Sequence, residues 1–262
     1  MNFRIAILAL GAATASLALP ASAQEWYVGG SAGYVLQNDS ANAGETGAFT
    51  TGNGAPVIPF GSPIAAGTDY GWDTEFDNGY ALSAEFGARY GNGFRSGVEL
   101  VYSQADVDTH SGVNVAGTVI DGVDAAVLTG SPTQLGATVG QVVATPDGDQ
   151  IESTSLFANL YYDFNREGRI SPYVGAGLGY SDVSVQYSPS GVGIIDDSKG
   201  KFAYQLKAGA TLAVSERIDL FGEAAYRATD DVKLENELFP GTLNIENTQT
   251  VFSVGVRYRF GG

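Results

Sequence analysis

The chain has 262 residues, a formal net charge of -16, 44% hydrophobic residues and no cysteine. That charge excludes nucleic acid as a partner, because phosphate binding runs on Lys and Arg, and the missing cysteine excludes disulfides and a lipid-modified cysteine anchor. Gly at 36, Tyr at 14 and Phe at 13 favour strands and turns over helices.

Met1-Asn2-Phe3-Arg4, the apolar run Ile5 to Leu19 and Pro20-Ala21-Ser22-Ala23 have the form of an export signal cleaved before Gln24. The run is short for a spanning helix. Residues 24–262 then make one domain, in which nothing else resembles a transmembrane helix. Membrane residence would need a closed sheet, since lipid satisfies no free backbone groups.

Eight segments alternate apolar residues with small, polar or charged ones, the pattern of a strand with two unlike faces. The first, Trp26 to Leu36, sets Trp26, Val28, Ala32, Tyr34 and Leu36 against Tyr27, Gly29, Ser31 and Gly33. The second, Tyr80 to Tyr90, puts Glu85 and Arg89 opposite Leu82, Phe86 and Tyr90. After the tight turn Gly91-Asn92-Gly93, the third, Phe94 to Gln104, puts Arg95 and Glu99 opposite Phe94, Val98 and Leu100.

The fourth, Ser153 to Phe164, carries Asn159, Tyr161 and Asp163 on the polar side, and the fifth, Ile170 to Val183, carries Gly175, Gly177 and Gly179 there. The sixth, Lys201 to Val214, has Gln205 and Lys207 inward, and the seventh, Ile218 to Thr229, has Asp219, Phe221, Glu223 and Arg227. The last, Thr250 to Phe260, sets Arg257 and Arg259 against Phe252, Val254, Val256, Tyr258 and Phe260. A charge on a lipid face costs about 2–4 kcal/mol at mid-bilayer, so a one-residue slip is forbidden.

Long polar stretches, about residues 37–78, 105–150, 185–199 and 230–248, alternate with short turns. The fold class expected is all-β: an eight-stranded antiparallel up-and-down transmembrane β-barrel with four long extracellular loops and short periplasmic turns. Aromatic residues cluster near both strand ends, as interfacial rings do. A soluble lipocalin-type barrel would show the opposite parity, apolar within and polar without.

A barrel of this strand number has room only for side chains. Its candidate lumen network is Glu85, Arg89, Arg95, Glu99, Asp163, Lys207, Asp219, Glu223, Arg227, Arg257 and Arg259, six cations against five anions, expected to pair because isolated buried charges are costly. It reads either as a filled polar plug or as an ion-passing gate. The loops hold acidic residues, among them Asp39, Glu45, Asp69, Asp73, Glu75, Asp77, Asp106, Asp108, Asp121, Asp124, Asp147, Asp149 and Glu152, expected to stay solvated and extended. They lack a calcium-loop spacing. Two apolar patches, Val57 to Ile64 and Val115 to Val143, interrupt the acid. The one histidine, His110, is expected at the surface. No catalytic, metal or cofactor site is read from the chain.

Trp26-Tyr27-Val28-Gly29, Ser171-Pro172-Tyr173-Val174-Gly175-Ala176-Gly177 and Val254-Gly255-Val256-Arg257-Tyr258-Arg259-Phe260 resemble the small outer-membrane β-barrel family that includes the OmpA transmembrane domain and the opacity-type surface proteins. The resemblance implies a Gram-negative outer-membrane location and an envelope or surface-interaction role. Its partners would be outer-membrane lipid and lipopolysaccharide, and an extracellular ligand met by the acidic loops. It also implies that Phe260 signals to the barrel-assembly machinery. A small low-conductance porin is the alternative, and a lipid- or peptide-hydrolysing outer-membrane enzyme a more distant one.

Overall fold

The structure, a computed structural model, describes residues 25–165 and 168–261. The segment read as an export signal lies outside the described residues. Strands in chain order are β1 (Glu25–Gln37), β2 (Ser40–Thr46), β3 (Phe49–Thr50), β4 (Pro63–Ile64), β5 (Asp69–Phe76), β6 (Gly79–Arg89), β7 (Phe94–Val115), β8 (Thr118–Val119), β9 (Gln150–Asp163), β10 (Ile170–Tyr187), β11 (Ile195–Ala213), β12 (Ile218–Thr229), β13 (Val232–Glu235), β14 (Gly241–Ile245) and β15 (Thr248–Phe260). Two short helices, α1 (Ala126–Thr129) and α2 (Val139–Val143), lie between β8 and β9.

Antiparallel ladders run β1–β6, β6–β7, β7–β9, β9–β10, β10–β11, β11–β12, β12–β15 and β15–β1. The up-and-down sheet therefore returns to its first strand and leaves no edge in this part. Turns at one end are tight. At Gly93, φ is 92°, a conformation that favours glycine, and Tyr90 N–H bonds the Phe94 carbonyl at 2.9 Å across the turn.

Burial follows the parity of the sequence. Val28, Leu82, Phe86, Val98, Leu100, Leu160, Leu178, Leu206, Val254 and Val256 stand exposed on the outer wall, while Tyr27, Arg95, Glu99, Phe157, Tyr161, Gln205, Lys207 and Arg257 are buried within. Aromatic pairs band the outside near both ends. Phe94 meets Tyr162 edge to face at 5.3 Å toward the turns, and Tyr80 lies 6.0 Å from Tyr102 toward the loops.

The sheet is larger than the eight segments expected. At the loop end β7 continues to Val115, β10 to Tyr187, and β11 starts at Ile195. The outer half of β7 carries a second sheet in the order β13–β14–β2–β5–β7. The expectation of extended, solvated loops is corrected here. Tyr70, Trp72, Val107, Val113, Val127, Val139, Ile151, Val183, Val185, Tyr187, Ile195, Val232, Leu234, Leu243 and Ile245 form one apolar core outside the banded wall. Those residues were scattered among acidic neighbours in the sequence; alternation sends the acids to water and the apolar partners inward.

Strand polarity inverts where that core begins. In β10 the outward residues pass from Leu178 and Tyr180 to Asp182 and Gln186, while the inward ones pass from Gly177 and Gly179 to Val183, Val185 and Tyr187. The chain keeps its register and changes its solvent.

Candidate functional site

Two layers of charge fill the interior of the ring. Nearer its middle, Lys207 Nζ lies 2.7 Å from Glu99 Oε2 and 2.9 Å from Glu223 Oε1. Glu99 also accepts hydrogen bonds from Asn159 Nδ2 at 2.9 Å and Gln205 Nε2 at 2.8 Å. Arg227 donates from Nε to Gln205 Oε1 at 3.0 Å and sits 4.0 Å from Glu99. Tyr173 Oη donates to Glu223 at 2.9 Å.

Closer to the tight turns, Arg95 lies 3.7 Å from Glu85 and 3.6 Å from Asp163, while Arg89 lies 3.9 Å from Asp163 and 3.5 Å from Asp219. Arg259 closes the series, 3.2 Å from Asp219 and 3.6 Å from Glu25. Arg95 is 1% exposed, with its guanidinium 3.9 Å from the centre of the Tyr161 ring. The aromatic face stabilises the cation in addition to its two carboxylates.

All eleven residues named from the sequence thus lie on the interior wall, and ten of them meet an opposite charge within 4 Å. Arg257 differs from the expectation of general pairing. Its guanidinium stacks 4.4 Å from the Phe221 ring centre and 5.3 Å from Tyr27, and Nη1 donates to Thr211 Oγ1 at 3.3 Å. Asp219 faces it across the β12–β15 ladder but is engaged by Arg89 and Arg259. Glu25 and the ring-stacking Tyr27, Tyr161, Tyr173 and Phe221 complete the site and were not named as members. Inward parity already marked the four aromatics, and only the habit of pairing charge with charge hid their part.

On the loop side of the Glu99–Lys207–Glu223 group the inward positions turn largely apolar, with Arg227 one inward position beyond Ala225 on β12. Val35, Ala81, Ala225 and Val251 form one cluster, and Val101, Phe157 and Ala203 another. Beyond them come Gln249, donating to Ser103 Oγ at 3.2 Å, and Asn247, donating to Ser153 Oγ at 3.2 Å. The large apolar core then follows.

His110 is buried in that core, 2% exposed, which corrects the expected surface position. The strand β7 runs past the membrane-type pattern and turns the ring inward between Trp72 and Tyr187, whose ring centres lie 6.3 and 4.7 Å away. A hydrogen-bonded chain satisfies it. Ser40 Oγ donates to Asn42 Oδ1 at 2.8 Å, Asn42 Nδ2 to Thr74 Oγ1 at 2.6 Å, and Thr74 stands 2.8 Å from His110 Nδ1. On its other side, His110 Nε2 lies 3.2 Å from Asp149 Oδ2. Asp149 Oδ1 accepts the Ser188 N–H at 2.7 Å. Burial pushes the Tyr187 phenol well above its ordinary value.

Acidic residues line the outside of the second sheet. Glu45, Asp69, Asp73, Glu75, Asp106 and Asp108 are all exposed, and Glu45 faces Asp69 across the β2–β5 ladder. Among the described residues, no group of three or more His, Cys, Asp or Glu side chains is placed to hold a metal ion.

A closed antiparallel sheet, apolar outside and charged within, defines a bacterial outer-membrane β-barrel. The chain belongs to the outer membrane protein beta-barrel domain family, whose model matches residues 5–260. It is 28% identical over 123 residues to the outer membrane protein PagN of Salmonella typhimurium, covering 43% of this chain and 52% of that protein. The chain therefore spans about half the length of that curated relative. The structure is similar in fold to OprG of Pseudomonas aeruginosa, with a TM-score of 0.57 and 13% identity over 92% of this chain and 97% of that one. Neisserial surface protein A aligns over 90% of this chain and 97% of that one, at 17% identity and a TM-score of 0.44. The protein resides in the outer membrane of a Gram-negative bacterium.

Proposed function

We propose that this protein is a non-conducting surface protein of the cell envelope, in which eight strands, β1, β6, β7, β9, β10, β11, β12 and β15, cross the membrane and the loops build a rigid outer domain. The observation that carries the reading is the order of layers inside. The Glu99–Lys207–Glu223 charges are matched below, an apolar collar from Val35 to Val251 lies above them, and a folded apolar core closes the top. An ion leaving the Glu99–Lys207 layer outward would have to shed water to pass Val101 and Phe157.

The outer wall meets lipid and lipopolysaccharide, and the acidic face of β2, β5 and β7 presents a surface to extracellular partners. Phe260, on the outer wall at the turn end of β15, serves the assembly machinery as the terminal aromatic. An enzymatic role is not supported by His110, because His110, Thr74 and Asp149 are all sealed from substrate.

Planar-bilayer recording tests this reading against a narrow porin. Purified protein and the variant carrying Lys207→Ala with Glu223→Ala are expected to show no unitary current. A current through the native protein that the double replacement alters would establish a gate in place of a plug.

A further inference from the structure

The top of the outer domain combines three properties that are rarely found together on a water-exposed surface. First, charge is scarce: the Asp124 carboxylate at its base is turned onto backbone N–H groups of the tip itself. Residues 46–68 and 125–146 contain no Asp, Glu, Lys, Arg or His, although the wall beneath them is densely acidic. Second, it displays large apolar side chains: Val57 is 66% exposed, Phe60 57% and Leu135 54%.

The two segments are tied together. Asn53 N–H bonds the Ser131 carbonyl at 2.8 Å, Asn53 Nδ2 the Pro132 carbonyl at 3.1 Å, and Gly52 N–H the Val127 carbonyl at 3.1 Å. Gln134 Nε2 donates to the Ala55 carbonyl. Because β2 and β5 pair from Ser40↔Thr74 up to Glu45↔Asp69, residues 46–68 lie beyond the far end of that ladder, distal to the membrane.

Third, the turn from Ala55 to Ser62 has almost no backbone donor left for water. Pro56 and Pro59 have none. Ala55 N–H bonds Asn53 Oδ1, the Val57 and Ile58 N–H groups both bond the Gly54 carbonyl, Gly61 bonds Thr51 and Ser62 bonds Pro59. Leu135 and Gly136 N–H groups are held by the Asp124 carboxylate at 2.9 and 3.0 Å. Only the Phe60 amide among Ala55 to Ser62 lacks such an internal partner. A loop that meets a protein partner gains by offering its amides; a loop that enters hydrocarbon must already have satisfied them.

We propose that this crown is a lipid-contact tip, which inserts Val57, Phe60 and Leu135 into the interfacial layer of an opposing, electrically neutral bilayer. Size favours lipid over a protein partner. A stable protein contact buries about 800 Å² on each side with complementary shape, more than three side chains on a narrow tip supply, whereas a fluid bilayer imposes no shape. The acidic wall selects against anionic surfaces and leaves zwitterionic headgroups as the matching chemistry. The assignment rests on the outward orientation proposed above.

The test uses the full chain in nanodiscs, mixed with fluorescent phosphatidylcholine vesicles and separated by flotation, beside protein-free nanodiscs. Wild-type protein is expected to float with the vesicles. The variant Val57→Ser with Phe60→Ser and Leu135→Ser is expected to lose binding by at least about tenfold, because each anchor removed forfeits apolar area withdrawn from water. Equal binding by the variant, no binding by the wild type, or binding to phosphatidylserine vesicles alone would overturn the proposal.

Orientation is checked separately. The chain has no cysteine, so Phe60→Cys can be labelled on intact cells with an impermeant maleimide. Absence of label would overturn the outward orientation itself; label without vesicle binding would overturn the lipid tip alone.

Discussion

Glu99 of β7 and Lys207 of β11 form a 2.7 Å ion pair across the inside of the barrel, both side chains nearly inaccessible to water. The two strands are not neighbours in the sheet: β9 and β10 stand between them. The pair therefore ties opposite walls, and Lys207 is shared with Glu223 on β12 at 2.9 Å.

Removing the shared cation leaves two buried carboxylates facing one another. Lys207→Met is expected to cost about 3–5 kcal/mol, the usual penalty for breaking a buried pair from one side. A lowered urea midpoint in a heat-modifiability gel is the measurement. Adding Glu99→Gln to Lys207→Met should recover part of the loss, since one of the stranded charges is then gone.

Arg95 and Arg257 are neighbours in the same aromatic cage, yet they should respond differently to the same change. Arg95→Met strips Glu85 and Asp163 of a cation and is expected to destabilise by about 3–5 kcal/mol. Arg257 has no carboxylate within 4 Å among the described residues, and Phe221 and Tyr27 offer a methionine good contacts. Arg257→Met is expected to cost less than the roughly 3–5 kcal/mol of Arg95→Met, since removing it strands no paired carboxylate. Denaturation midpoints of the two variants, taken side by side, decide the point.

The Asp124 carboxylate is held below its ordinary value of 3.8 by the N–H groups of Leu135, Ala126 and Gly136. A depressed folded value means the contribution to stability is complete above pH 3.8 and disappears as pH falls through the lower, folded value. Protection factors at Leu135 and Gly136, which remove the intrinsic pH dependence of exchange, should therefore be high at neutral pH and fall below pH 3.8. In Asp124→Asn that fall should be absent, because the side chain does not titrate.

Leu178 and Gln186 project from the same outer face of β10 on opposite sides of the polarity change. Leu178→Arg is expected to destabilise the folded barrel by about 2–4 kcal/mol, the cost of a cation at mid-bilayer. Gln186→Arg stands in water and should change the unfolding midpoint little. Equal effects in the two variants would place the lipid boundary elsewhere.

The strand segments and the facing of every lumen charge were legible in the sequence, because period-two alternation leaves no freedom once one side must meet lipid. The outer domain was not. At Tyr180 the alternation continues, but its apolar members pass from one side to the other, so a template that keeps hydrocarbon outside ends the strand near Val183. Asking instead whether Val183, Val185 and Tyr187 continue the parity of Gly179 would have extended β10 and exposed the core. His110 was misplaced for the same reason, since its acidic surroundings describe only the outward neighbours on β7.

Which cation meets which acid was not legible either. Glu85 reaches Arg95 one strand away, while Lys207 crosses to Glu99 from three strands away; stagger and side-chain length decide this, and neither is a pattern in one strand. Tyr27 and Tyr173 illustrate it well. They occupy matching places in the similar segments Tyr27 to Tyr34 and Tyr173 to Tyr180, and both rings face Arg95, at 5.5 and 5.0 Å.

If the lumen is closed as proposed, the apolar collar around Val35 and Val251, with the folded cap over it, separates abundance from leakage. A cell that crowds its exterior with open pores surrenders its permeability barrier in proportion to their number. Stoppered cylinders carry no such burden, so expression can rise to whatever density the outward-facing task demands.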